Sequence, residues 1–157
     1  MGGRGRRGQP AVHARLAGRL PDHPGEPRGR ASQHRRPADF VHRLHHPELA
    51  RVGLSETEAR RAGYDVQVAR LPVAAIPRAR TLRQTEGMWK AVIDAGTDRI
   101  LGVALLGAEA GEVVTSVQVA MLAGMPWTAL RDAVITHPTM AEGLNLLFAS
   151  LQARPVR

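Results

Sequence analysis

The 157-residue sequence contains no cysteine. That excludes structural disulfides, thiolate metal sites and any thiol redox chemistry carried by this chain itself. Aromatic residues are scarce, at 3% of the chain, while hydrophobic residues reach 43%. The core must therefore be aliphatic, built on Leu, Val, Ile, Ala and Met. Too few rings are present to stack on single-stranded nucleic acid. No apolar run approaches the ~20 residues that span a bilayer. The N-terminus has positive charge without a following apolar segment, so no secretory signal is expected and the cytoplasm is the default compartment.

Lysine is almost absent too, with one Lys against 21 Arg. A net charge of +8 invites a nucleic-acid reading, but its distribution argues against one. Residues 1 to 46 hold ten Arg and three acids, a net +7, whereas residues 47 to 157 are close to neutral at +1. Six of the seven histidines also precede residue 47. The basicity belongs to an arm, and nucleic acid is not the expected partner of the remainder. Residues 1 to 46 are rich in Arg, Gly, Pro and His without helical or strand periodicity, apart from a weak helical stretch at Ala11–Leu20. Such a segment buries too little apolar surface to offset its ordering entropy, so it is expected to be disordered. His42, His45 and His46 mimic a metal-ligand cluster, but a disordered arm supplies no geometry for one, and no metal site is expected.

From Pro47 onward the pattern is that of a folded domain, expected over residues 47–153. Ser55-Glu56-Thr57-Glu58 is a capping-box pattern opening a short helix that Gly63 stops. Tyr64–Leu71 reads as a strand with Val66 and Val68 on one face. Pro72 and Pro77 bracket a connecting stretch. Met88–Asp94 alternates, with Trp89, Ala91 and Ile93 on one face, and pairs with Arg99–Leu106 as an antiparallel hairpin. Ala110–Ala123 is the best helix: Val113, Val114, Val117, Ala120 and Met121 form one stripe, and Gly124 closes it. Trp127–Ala133 is a shorter helix. Thr139–Leu151 is the last, with Leu144, Leu147, Phe148 and Leu151 on one face. Strands followed by clustered helices imply an α+β, two-layer domain with an antiparallel sheet and C-terminal helices.

The run His137-Pro138-Thr139-Met140-Ala141-Glu142 carries the most chemistry. Histidine suits proton transfer near neutral pH, and a neighbouring carboxylate can fix its tautomer and stabilise the imidazolium. Pro138 forces a turn, so Glu142 can fold back toward His137. The same residues also read as Thr139-x-x-Glu142, a capping box that explains Glu142 as purely structural. Spacing alone leaves both readings open. Glu109 and Glu112 at the start of the long helix suit its dipole. Arg78 and Arg80 read as solvated connector residues or as partners for acids across a dimer contact.

Several blocks occur in a consistent order. Pro47-Glu48-Leu49-Ala50-Arg51-Val52-Gly53-Leu54-Ser55-Glu56 is followed by Arg78-Ala79-Arg80 with Thr85-Glu86-Gly87 and Lys90. Ile100-Leu101-Gly102 with Gly107, Ala110 and Glu112 comes next, then His137-Pro138-Thr139 with Glu142. Together they resemble the C-terminal dimerisation domain of the FAD-dependent pyridine nucleotide–disulfide oxidoreductases, over about residues 47 to 152. The run Leu71–Arg80 is most similar to the mercuric-reductase-like branch, which includes reductases that resist reactive chlorine species.

The resemblance implies a homodimer, or pairing with a full-length flavoprotein subunit. It implies that His137 enters the partner's site beside flavin and redox disulfide as general acid/base, with Glu142 orienting it. Pro138 would lie near the partner's flavin, following a His–Pro bond that is commonly cis in the family. Ala141 stands where many members have Ser or Thr.

The family's CxxxxC pair does not occur here, and Gly3-Arg4-Gly5-Arg6-Arg7-Gly8, though it spells Gly-x-Gly-x-x-Gly, follows no strand pattern and is not read as the dinucleotide fingerprint. FAD and NAD(P)H are therefore expected in an intact parent and not bound to this chain, which is expected to be inactive alone. A stand-alone dimerising module and, behind it, a basic-armed nucleic-acid binder are the other functional readings. The family would have a strand ending in Phe-Thr just before Pro47. A frame shifted by one base permits Ser-Thr-Val-Phe-Thr-Thr across the codons for residues 41 to 46. One explanation of the arm is therefore out-of-frame translation, which the nucleotide sequence decides.

Overall fold

The computed structural model describes residues 41–43 and 46–151. The expected disorder of the arm, its weak helix and its His42/His45 cluster lie outside what is described, except that Val41–Arg43 forms a strand, β1. The elements that follow are β2 (Leu49–Gly53), α1 (Glu56–Arg61), β3 (Val66–Pro72), a 3₁₀ turn (Val73–Ala75), α2 (Pro77–Leu82) and β4 (Met88–Asp94). After them come β5 (Ile100–Leu106), α3 (Ala110–Leu122), α4 (Trp127–Asp132) and α5 (Gly143–Ala149).

The strands form one antiparallel sheet in the order β1-β2-β5-β4-β3. The expected hairpin is β4–β5, with Trp89 opposite Leu105 and Ala91 opposite Val103. Trp89, Ala91 and Ile93 are fully buried, as their alternation requires. With Ala50, Val52, Leu105 and Leu71 they make the core face, on which α3 and α5 lie. From α3 that face receives Val113, Val114 and Val117, and from α5 it receives Leu144, Leu147 and Phe148. Leu151 joins them just past the end of α5. Each such side chain contributes about 1.5–3 kcal/mol by leaving water. This is the expected α+β architecture, with the sheet as one layer and the C-terminal helices on its core face as the other.

Helix α1 sits on the opposite face. Its capping box is complete: Glu58 N–H donates to Ser55 Oγ at 3.2 Å, and Ser55 N–H donates to the Glu58 carboxylate at 2.6 Å. Glu56 takes Lys90 at 2.7 Å, Arg60 at 3.0 Å and Arg70 at 3.4 Å, and Glu58 pairs with Arg51.

Two expectations need correction, and two more hold but are incomplete. Val41–Arg43, assigned to the arm, pairs with β2. An open sheet edge recruits a strand through backbone groups, which leave no mark on side-chain periodicity. Pro72 and Pro77 do bracket a connecting stretch, but the reading missed that Pro77 then opens α2. Proline is well placed in a first helical turn, where its missing N–H costs nothing. On β3, Val66 and Val68 do share one face, and the buried residues, Ala69 and Leu71, lie on the other. Finally, α5 begins at Gly143 and not at Thr139. The preceding residues form a tighter turn, in which Gly143 N–H donates to Met140 O and Leu144 N–H to Ala141 O, both at 3.0 Å. No described helix is long and apolar enough to cross a membrane.

Candidate functional site

The loop between α4 and α5 carries His137. It leaves α4 at Ala133 in extended conformation, passes the cis His137–Pro138 bond and returns through Thr139. Thr139 Oγ1 donates to Thr136 O at 2.7 Å and accepts from Glu142 N–H at 3.3 Å, closing the loop across its own neck. Met140, 1% exposed, pins the returning limb to the core.

Glu142 distinguishes the two sequence readings. A capping box would send its carboxylate back to the Thr139 backbone, as Glu58 does for Ser55. Only half of that box is present here, the Thr139 hydroxyl on Glu142 N–H. The carboxylate instead meets His137, with Oε2 at 2.7 Å from Nδ1. A carboxylate oxygen accepts, so this contact favours the tautomer with the proton on Nδ1 and the lone pair on Nε2. Nε2 has no partner among the described residues. The imidazole is 68% exposed, whereas the Glu142 side chain is only 13% exposed. A mostly buried carboxylate thus holds a ring that projects into solvent. The second carboxylate oxygen, Oε1, is buried and has no partner among the described residues. An orphan acceptor of this kind costs free energy, as does the Trp89 Nε1 donor, which also has no partner among the described residues.

Gly143 lets this loop sit where it does. A Cβ there would lie 2.6 Å from Trp89 Cζ3 and 2.7 Å from Ile76 Cδ1, so the backbone after Glu142 rests directly on the indole.

The other candidates do not join this site. Glu109 has φ of 57° and makes no capping bond with its side chain, while Glu112 lies in the first turn of α3. Glu48, not singled out from sequence, accepts from Gly111 N–H at 3.2 Å at that helix start. Arg80 donates to Ala75 O at 3.2 Å. Among the described residues no three His, Asp or Glu side chains converge as metal ligands.

Sequence reasoning also missed Asn145, whose Nδ2 donates to Leu130 O at 2.8 Å and to Arg131 O and Ala133 O at 3.0 Å. The available signal was an asparagine, a weak helix former, flanked by leucines inside a helix.

Residues 43–147 match the family model described as the pyridine nucleotide-disulphide oxidoreductase dimerisation domain. The probable pyridine nucleotide-disulfide oxidoreductase RclA of Escherichia coli is 50% identical over 103 residues, which are 66% of this chain and 23% of that protein. A mercuric reductase of Lysinibacillus sphaericus is 41% identical over 100 residues, 64% of this chain and 18% of that one. Among solved structures, the HOCl-induced flavoprotein disulfide reductase RclA of Escherichia coli superposes with a TM-score of 0.72 at 44% identity, covering 74% of this chain and 27% of that chain. The chain thus spans about a quarter or less of the length of these relatives.

Proposed function

This chain belongs to the pyridine nucleotide–disulphide oxidoreductase dimerisation-domain family, and from that membership we propose that it pairs two subunits and offers His137, oriented by Glu142, to a flavin and disulfide site on the partner. The observation that carries the reading is the contact between the two side chains. Glu142 Oε2 holds Nδ1 at 2.7 Å and turns Nε2 outward on an exposed ring.

At Nε2 the imidazole takes the proton of an attacking thiol, and Glu142 offsets the positive charge that results. In the reverse direction the same nitrogen returns the proton to a departing thiolate. General acid/base assistance of this kind is worth about 10²–10⁴-fold in rate.

The residues present fit one wall of a flavin site and not a whole one. They supply an exposed imidazole and a buried, uncommitted carboxylate oxygen. The sequence has no cysteine, and its Gly-x-Gly-x-x-Gly run at residues 3–8 lacks the apolar strand pattern that opens a dinucleotide site. When bound, the flavin would relay electrons from NAD(P)H to the disulfide. Substrate choice belongs to the rest of such an enzyme.

For pairing, α3 offers a surface. Val119 and Leu122, one turn apart on its outer side, are 60% and 61% exposed, and Met125 just beyond the helix is 41% exposed. An apolar strip of this kind on a soluble domain marks a contact surface.

The isolated chain tests the reading. It should show no flavin absorbance and no NAD(P)H oxidation, and it should sediment as a dimer. The double change Val119→Glu with Leu122→Glu should weaken that dimer at least about tenfold, a loss of ~1.4 kcal/mol. Bound flavin or turnover would overturn the half-site reading. A persistent dimer in the double variant would remove the α3 strip from it.

A further inference from the structure

We propose that Asn145 is a positioning residue for His137, acting by clamping the point where the His137 loop leaves α4. The inference rests on the acid/base reading of the His137–Glu142 pair and adds the residue that sets the ring's reach.

Helix α4 is six residues long and ends without a glycine or a left-handed residue; Ala133 departs at φ −61° and ψ 139°. A helix that ends this way lacks the N–H groups of a C-cap turn, so its last carbonyls need partners from elsewhere. Asn145 supplies them. Its side-chain amide donates to Leu130 O at 2.8 Å and to Arg131 O and Ala133 O at 3.0 Å. An amide has two hydrogens, so three acceptors saturate it. The same residue's backbone N–H donates to Glu142 O at 3.0 Å. Asn145 therefore touches both the residue that holds His137 and the origin of the loop that carries it. Thr139 closes the other end, through Thr136 O and Glu142 N–H. His137 lies between these two clamps.

The amide's work is directed at the loop because the helices are held independently. Leu144, Leu147 and Phe148 bury α5 in the core, and Trp127 buries α4, with its ring 6.4 Å from Phe148. Alanine at position 145 would suit α5 better than asparagine does. Its removal should release the loop and leave the layers in place.

The test uses the full chain with labelled histidines, at mildly alkaline pH where imidazoles are ordinarily neutral. His137 ring signals are assigned by their loss in His137→Gln, and the tautomer is read from the ring ¹⁵N shifts. In the wild type the Nδ1–H form should dominate. Glu142→Ala should move the ring toward the mixture of a free histidine. Asn145→Ala should move it in the same direction by at least about half as much, with the amide signals of β4 and β5 unchanged. Asn145→Ser, which keeps one donor, should fall between Asn145→Ala and wild type.

An unmoved tautomer in Asn145→Ala, alongside a moved one in Glu142→Ala, would overturn the role of Asn145 and leave the acid/base reading standing. An unmoved tautomer in Glu142→Ala would sink the acid/base reading itself. Loss of the whole folded spectrum in Asn145→Ala would also overturn the proposal, since the amide would then hold the fold and not the loop.

Discussion

Glu142 shows how two readings of one residue are separated by geometry. Its spacing from Thr139 suits a capping box, and its spacing from His137 suits an acid/base pair. The backbone N–H follows the first pattern and the carboxylate the second. The sequence holds both patterns because a turn through His137–Pro138 satisfies them together. What it does not hold is the direction of a carboxylate, which depends on where Trp89 and Met140 seat the turn. Nor was the reach of Asn145 legible, since its acceptors lie 12 to 15 residues earlier in the chain. The close seating on Trp89 makes a prediction at this scale. Gly143→Ala gains helix propensity but places a methyl 2.6 Å from the indole. Overpacking of this kind should win and cost about 1–3 kcal/mol in urea unfolding. A variant as stable as wild type would show that the turn is not confined as described.

At the scale of elements, legibility followed the strength of the pattern. The β4–β5 hairpin and α3 were readable because each buries a full face, with alternation in one and a stripe at helical spacing in the other. On β3 both parities carry apolar residues, Val66 and Val68 on one and Ala69 and Leu71 on the other, so packing alone chooses the core face. Helix α2 was hidden by prolines that read equally as breakers and as starters.

Helix α1 meets the sheet through buried Ala59 and through ion pairs from Glu56 and Glu58 to Arg51, Arg70 and Lys90. Hydrogen bonds from Lys90 and then Arg60 hold the Glu56 carboxyl at about 2. Hydrogen bonds from Ser55, then from Arg51, hold Glu58 at about 2 as well. Both values are depressed from an ordinary 4.5, so the contribution is complete above that pH and is lost as pH falls toward 2. The groups are solvent-exposed, so salt should weaken the effect. Amide exchange of α1 should accelerate across that window before β4 and β5 respond, and more so at low ionic strength. Uniform exchange across the domain would contradict an electrostatic tether.

For the whole molecule, the domain is legible from ordered blocks of sequence even though each block is short. Residues 43–147 match the dimerisation-domain family, but the chain spans only 23% of the length of its Escherichia coli relative. On the proposed function, His137 and Glu142 are half of a site that a partner completes. The decisive measurement restores the other half. Residues 43–151 of this chain replace the corresponding segment of the Escherichia coli RclA protein, and NAD(P)H-dependent disulfide reduction is followed with and without His137→Ala. The chimera should be active, and His137→Ala should lower its rate by about 10²–10⁴-fold while flavin content and dimerisation stay unchanged. A His137→Ala chimera that reduces disulfide as fast as its parent would contradict the account.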